Sequence, residues 1–287
     1  MAKYALLYER VRAAAAELEV ELHEPRAADD SALCRAHEPG YVQRASRGEL
    51  DAAEQRKIGF PWSPLMIERS RRSAGGTMAA LQAAIEGDGV AVNLAGGTHH
   101  AFAGHGAGYC VFNDSVIAAC LVQALRLARR LLVVDLDVHQ GNGTAAIVRE
   151  DPSIFAFSIH GARNYPAVKE GGDLDVELPD GCGDAEYLDA LAHHLPLALE
   201  RAEPDAVLYL AGADPYAQDR LGRLALSKDG LAERDRMVLD ACLRHDLPLS
   251  ISMAGGYATE VADIVDIHFA TVRAAAELAR RRRAIAL

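Results

Sequence analysis

The 287-residue chain is half apolar and one quarter charged, with mean hydropathy near zero, a profile that allows a full buried core and excludes disordered, collagenous and coiled-coil architectures. At this length one large α/β domain and two small ones are equally open. The 30 basic and 41 acidic residues leave a net charge of −11, which disfavours nucleic acid as a partner, since affinity for phosphate backbones comes chiefly from Lys and Arg.

Residues 4–19 mix Ala, Leu and charge at helical spacing, and a stretch bearing Pro, Asp and Gly follows to about residue 63, which predicts a helix and then short helices and loops. Over residues 66–85 the pattern predicts an amphipathic helix, although Gly75 and Gly76 should each weaken it by about 1 kcal/mol relative to Ala. A rhythm then sets in. Apolar runs at 90–94, 131–134, 154–159, 206–211 and 249–253 alternate with helical stretches at 115–130, 184–201, 230–245 and 259–280. Continuous apolar runs separated by helices predict strands buried on both faces, hence a mostly parallel sheet with helices on each side. With no linker or repeat after residue 60, residues 1–287 read as one domain.

The five cysteines, Cys34, Cys110, Cys120, Cys182 and Cys242, form no C-x-x-C pair, and no secretory signal is evident. That pattern fits free thiols in a reducing compartment. No apolar run approaches the roughly 20 residues that span a bilayer, so the expected location is the cytoplasm.

In doubly wound sheets ligands bind beyond the carboxyl ends of the strands, and the residues found there are specific. The five runs lead into Ala95-Gly96-Gly97-Thr98-His99-His100, into Asp135-Leu136-Asp137-Val138-His139-Gln140-Gly141-Asn142-Gly143, into Ser158-Ile159-His160, into Gly212-Ala213-Asp214 and into Ala254-Gly255-Gly256-Tyr257. Asp137 and His139, joined by Asp214, offer a divalent metal three protein ligands and leave a position open, as catalytic zinc sites do. Capping of the next helix is the competing reading of Asp135 and Asp137. His99 and His100 are imidazoles suited to taking a proton from water at such a metal and returning it to a leaving amine. Tyr257 could donate its hydroxyl to a developing oxyanion.

Other clusters read as bland. His193-His194 falls mid-helix without polar company. The run Gly104-His105-Gly106-Ala107-Gly108 lacks the order of a phosphate or dinucleotide loop and reads as a flexible pocket-lining loop. Asp173 and Asp175, like Asp263 and Asp266, read as solvated turn and helix charges.

Taken together, Gly96-Gly97-Thr98-His99-His100, Gly108-Tyr109-Cys110, Asn113-Asp114, the Asp135 to Gly143 run, Ala211-Gly212-Ala213-Asp214 and Gly255-Gly256-Tyr257 resemble the zinc-dependent histone deacetylase family. The likeness runs from about His37 onward. His139-Gln140-Gly141-Asn142-Gly143 and Asp219-Arg220-Leu221-Gly222, with Leu224, are most similar to the class IV branch and its bacterial relatives. The resemblance implies the arginase-deacetylase fold, three α/β/α layers around a mostly parallel sheet. It implies one Zn²⁺ per chain on Asp137, His139 and Asp214. His100 would be general base and His99, hydrogen-bonded by Asp135, an electrostatic partner or acid, with the division of labour between the two histidines left open. Tyr257 would stabilise the oxyanion, and Gly108, Tyr109 and Tyr165 would line a narrow channel. Asp135, Asp137 and His139, with Ser158 and Ile159, would hold K⁺ as a second cation. The implied substrate is an acylated lysine peptide, or alternatively an acetylpolyamine or other small acyl-amine.

Two departures bear on these expectations. Many relatives back the second histidine with Asp where this chain has Asn142, which should leave His100 less basic. Relatives also carry a strand before the first helix, and here that strand would precede Met1, so either the start is placed late or the sheet lacks an edge strand. Binuclear manganese ureohydrolases share the implied fold, but Gln140 and Asn142 stand where further metal ligands would be needed. A non-catalytic acyl-lysine binding module would be expected to lose a ligand, the histidine pair or Tyr257, and the chain keeps them all.

Overall fold

The structure is a computed structural model that describes residues 2–286. Its six strands are β1 (Val90–Asn93), β2 (Leu131–Asp135), β3 (Ile154–Gly161), β4 (Leu174–Leu178), β5 (Ala206–Leu210) and β6 (Leu249–Ser252). They form one sheet in the order β1-β6-β5-β2-β3-β4, and every neighbouring pair is parallel. The chain therefore builds outward from β2 through β3 to β4, then resumes on the other flank with β5. The reversal lies between β2 and β5, the position where such sheets place their ligands.

Four helices, α1 (Ala2–Leu18), α8 (Asp184–Ala202), α9 (Lys228–Arg244) and α10 (Val261–Ala286), cover one face of the sheet. On the other lie α2 (Asp30–Leu33), α3 (Pro39–Arg47), α4 (Ala52–Ile58), α5 (Pro64–Glu86), α6 (Asp114–Ala124) and α7 (Asn142–Val148). The alternation of a strand explains why the central runs are apolar throughout. Leu132 and Val134 pack into the first layer, Leu131 and Val133 into the second, and all four are buried. The fold is thus the expected three-layer α/β/α arrangement on a parallel sheet. Among the described residues no strand precedes α1, and β1 is an edge of the sheet.

Several local expectations need correction. The helix expected over 115–130 ends at Ala124, because Arg126 turns the chain at φ 59° and the Asp205 carboxylate accepts the Arg129 and Arg130 amides at 2.7 and 3.0 Å. Strand β4 falls where turn charges are expected. In β4 the sequence Leu174-Asp175-Val176-Glu177-Leu178 pairs only with β3, and its charges sit on a half-exposed edge. Asp173 is exposed, as expected of a solvated turn charge, and Asp175 half-buried, but both also hold structure together. Asp173 accepts the Ala156 amide at 2.8 Å, and Asp175 accepts Gln140 Nε2 at 2.9 Å and the Gly172 amide at 2.7 Å. Asp263 and Asp266 are likewise engaged, both at 2.7 Å from Lys228 Nζ. Gly75, inside α5, is a close-approach glycine: a Cβ there would lie 1.8 Å from the Arg26 carbonyl oxygen.

Candidate active site

The loop after β2 is folded by its own carboxylates. Asp135 Oδ1 accepts the Asp137 amide at 3.2 Å, Asp137 Oδ1 accepts the His139 amide at 2.9 Å, and Asp214 Oδ1, from the loop after β5, accepts the Val138 amide at 3.0 Å. The N-cap of α7 is Gly141 and makes no side-chain cap bond, so Asp135 and Asp137 do not serve as helix caps. Gly255, following β6, donates its amide to Asp137 Oδ2 at 2.8 Å. Three strand ends thus hold two carboxylates in place by backbone donors, the kind of fixed geometry that an isolated carboxylate pair lacks.

His139 Nδ1 lies 2.9 Å from Asp137 Oδ1 and 3.3 Å from Asp214 Oδ2. Asp137, His139 and Asp214 are buried, and one ligand atom from each falls within 4.8 Å of the others. Beyond that 3.3 Å approach of His139, which is not a hydrogen bond, Asp214 Oδ2 meets no donor. A buried, unpartnered carboxylate oxygen costs free energy unless a cation meets it, so the donor set fits a divalent metal held by one nitrogen and two oxygens. Desolvation opposes charge here, yet the two carboxylates outweigh it and lift His139 to about 10, while burial and the repulsion of Asp137 raise Asp214 to about 6.

The histidine pair follows the Gly96-Gly97 turn, where both glycines take positive φ. Asp114, fully buried, clamps that turn by accepting the Gly97 and Thr98 amides at 2.9 and 2.7 Å and the Thr77 and Thr98 hydroxyls at 2.5 and 2.6 Å. The two imidazoles lie with centroids 4.1 Å apart but have unlike partners. His99 Nδ1 meets Asp135 Oδ2 at 2.6 Å; His100 Nδ1 meets the Asn142 amide oxygen at 2.7 Å. An amide oxygen only accepts, so Nδ1 of His100 carries the proton and Nε2 is left with a lone pair when the ring is neutral. Burial disfavours the charged form of both rings. For His99 the carboxylates of Asp135 and Asp137 overcome that and raise it to about 9. For His100 burial is joined by repulsion from His99 and His139, and it falls well below the ordinary imidazole value.

Gly108, at φ 51°, passes so close to His100 that a Cβ would lie 2.4 Å from the ring. Tyr165 sets its ring edge-on to His100 at 4.8 Å, and Tyr109, packed on Phe60 at 5.0 Å, stands 6.2 Å from the Tyr257 ring. Tyr109 and Tyr165 are each nearly half exposed, so they form a rim above the buried imidazole. The Gly104 to Gly108 segment is not the flexible loop expected. A Cβ on Gly106 would strike the Cys110 carbonyl oxygen at 2.6 Å, and the Gly108 and Tyr109 amides bond to the Lys57 and Ile58 carbonyls at 3.0 and 2.9 Å. Burial raises the Tyr257 phenol well above its ordinary value, which keeps its proton available for donation. Ser158 pairs with Asp135 across β2 and β3, and its hydroxyl lies 2.9 Å from His160 Nδ1; Ile159 follows, fully buried. His193 and His194 lie on α8, away from these groups.

Lys3 and Arg234 escaped the sequence, and Asp219 stood out only within a family-like motif, with no role assigned. Lys3, on α1, donates to the Ala254 and Gly256 carbonyls at 3.1 and 3.3 Å and lies 5.5 Å from the Tyr257 ring centroid; no local pattern marks it. Asp219 accepts the Tyr257 amide at 2.5 Å. Arg234 donates to the Gly212 and Leu136 carbonyls at 2.6 and 3.2 Å. A signal for Arg234 did exist: with Asp235 it occupies the face of α9 shared by Leu231 and Val238, where helical spacing calls for apolar residues.

The chain is also similar to known proteins. Residues 1–272 match the histone deacetylase domain family. An uncharacterized protein of Picosynechococcus sp. is 45% identical over 258 residues, covering 90% of this chain and 86% of that protein. Histone deacetylase 2 of Arabidopsis thaliana is 33% identical over 74% of this chain, and a histone deacetylase-like amidohydrolase of Pseudomonas aeruginosa 30% identical over 79%. The chain spans 53% and 63% of the lengths of those two proteins. In fold it is similar to the HD domain of HDA15, with TM-score 0.79, 22% identity and coverage of 98% of this chain and 84% of that one. It is also similar to the acetylpolyamine aminohydrolase of Burkholderia pseudomallei, with TM-score 0.73, 23% identity and coverage of 93% and 88%. The chain belongs to the histone deacetylase family.

Proposed function

We propose that the protein is a zinc-dependent amide hydrolase that removes acetyl or longer acyl groups from the ε-amine of lysine, with residues 1–287 forming one deacetylase domain. The observation that carries this reading is the convergence of Asp137, His139 and Asp214 beside two imidazoles with unlike partners, a carboxylate for His99 and an amide oxygen for His100. When bound, Zn²⁺ supplies Lewis acidity toward the acyl carbonyl and lowers the pKa of water. The protein's own groups do the rest. His100, kept neutral and presenting Nε2, takes the proton from water. His99, held as imidazolium by Asp135, contributes positive charge and a proton to the leaving amine. The Tyr257 hydroxyl, still protonated, donates to the oxyanion. Gly108, Tyr109 and Tyr165 confine the alkyl stem of the acylated amine, and the Gly108 backbone allows that stem to approach the imidazole. The carbonyls of Asp135, Asp137 and His139, with Ser158 and Ile159, are the groups we assign to K⁺.

A small acyl-amine such as an acetylpolyamine is the alternative substrate. Arg220, exposed, bonds to the Tyr257 carbonyl oxygen at 2.9 Å, and its positive charge beside Tyr257 disfavours a polycation there. The net charge of −11 disfavours nucleic acid. Among the described residues no helix is long and apolar enough to cross a membrane, and free thiols such as Cys34 and Cys120 fit a cytoplasmic location. Asp214→Ala should abolish hydrolysis and zinc content together; full activity without bound metal would refute the proposal. Assays of acetyl-lysine and long-chain acyl-lysine peptides beside acetylspermidine decide the substrate class.

A further inference from the structure

Arg234 is the bulkiest fully buried side chain of the fold. Its Nη1 reaches two loops at once, the Gly212 carbonyl two residues before Asp214 and the Leu136 carbonyl one residue before Asp137. Its Nε and Nη2 bond to Asp235 Oδ1 at 2.9 and 2.8 Å. Asp235 in turn accepts the Tyr209 hydroxyl from β5 and the Thr271 hydroxyl from α10, each at 2.5 Å. Burying an ion pair is costly, and apolar residues of similar volume would hold α9 against the sheet equally well or better. What an apolar pair could not do is bond the carbonyls of two different strand-end loops to one nitrogen.

We propose that Arg234 is a positioning residue of the metal centre: by bridging Leu136 and Gly212 it sets the separation of Asp137 and Asp214, and with it the affinity for the metal. Asp235, Tyr209 and Thr271 orient the guanidinium from behind. The inference rests on the metal-dependent reading above. A lysine keeps the charge but gathers on one nitrogen the contacts that the guanidinium spreads over three, so it cannot hold Asp235 and both carbonyls together.

The test measures Zn²⁺ affinity of the full chain by competition with a chromogenic chelator, beside thermal unfolding of the metal-free protein. Arg234→Lys should weaken Zn²⁺ binding by about 10–100-fold, the usual effect of losing an outer partner of a metal site, and change the visible absorption of the Co²⁺-loaded protein. Leu33→Ala opens a cavity in the core on the other face of the sheet, outside the Arg234 network. It should lower the unfolding temperature and leave Zn²⁺ affinity at the parent's value. Parental affinity in Arg234→Lys, or loss of affinity in both variants in step with their unfolding temperatures, overturns the proposal and makes the network purely structural. Should Arg234→Lys not fold, Arg234→Met with Asp235→Leu replaces the ion pair by apolar volume; weakened Zn²⁺ binding there supports the proposal and parental binding overturns it. A parent chain that binds no Zn²⁺ overturns the metal-dependent reading itself.

Discussion

Replacing Gly255 by Ala would place a methyl carbon 1.8 Å from Asp214 Oδ2 and 2.6 Å from Asp137 Oδ2. Such carbon–oxygen contacts require upward of 3 Å, so the Asp214 carboxylate or the 254–256 turn must shift by more than about 1 Å in a close-packed interior. The turn is the better anchored of the two. Its Gly255 amide is spent on Asp137, its Gly255 carbonyl accepts the Ala213 amide at 3.1 Å, and Lys3 holds the carbonyls on either side. Asp214 Oδ2, by contrast, makes no hydrogen bond and is met only by His139 Nδ1 at 3.3 Å. Metal–ligand distances tolerate only about 0.2 Å, so Gly255→Ala should weaken Zn²⁺ binding severely and lower the hydrolytic rate by about 10²-fold or more, as misplacement on the 1 Å scale does. Overpacking adds roughly 1–3 kcal/mol of destabilisation, visible as a drop of several degrees in the unfolding temperature of the metal-free protein. Chelator competition, steady-state kinetics and thermal unfolding in EDTA measure the three effects. A Gly255→Ala protein with the parent's Zn²⁺ affinity and rate would refute the argument that this glycine exists to make room for the ligand carboxylates.

Two further substitutions probe other parts of the structure. Asn142→Asp puts a carboxylate against His100 Nδ1, as Asp135 stands against His99; this favours the imidazolium, so a base that works neutral stays protonated to higher pH. The acidic limb of the kcat/KM profile should move up by about 1–3 pH units, and an unchanged profile would mean that Asn142 does not set the basicity of His100. Gly75→Ala gains roughly 1 kcal/mol of helix propensity but drives a carbon to 1.8 Å from the Arg26 carbonyl oxygen, and overpacking against backbone should win, lowering the unfolding temperature. A higher one would show that the segment before α2 yields freely.

The parts of the fold that sequence revealed are those whose burial leaves a pattern. Strands β2 and β5, covered on both faces, had to be apolar up to Asp135 and Leu210, and their ends were where polar residues became conspicuous; Asp137, His139, Asp214 and the histidine pair were legible for that reason. Strand β4 was hidden because an edge strand alternates, and Asp173 and Asp175 looked like turn charges. The end of α6 was hidden because Leu125 and Leu127 continue the apolar spacing past the point where Arg126 reverses the backbone. Lys3 was illegible for another reason. Its contact with Ala254 spans 251 residues, and nothing in its own neighbourhood records the carbonyls it meets. The glycines carried the converse message: Gly75 and Gly106, read as weakness or flexibility, mark places where two backbones touch.

Because every strand is parallel, the residues of the site arrive from segments far apart in the chain. Gly255 and Asp137 are separated by 118 positions and Asp214 and Val138 by 76. Ordering such distant segments requires closure of long loops before any contact repays it, which slows folding. The three proposed metal ligands, two after β2 and one after β5, cannot therefore be gathered by a local nucleus around β2. They meet only once β5 has docked on β2, so an ion held by all three would mark a strand pairing already made.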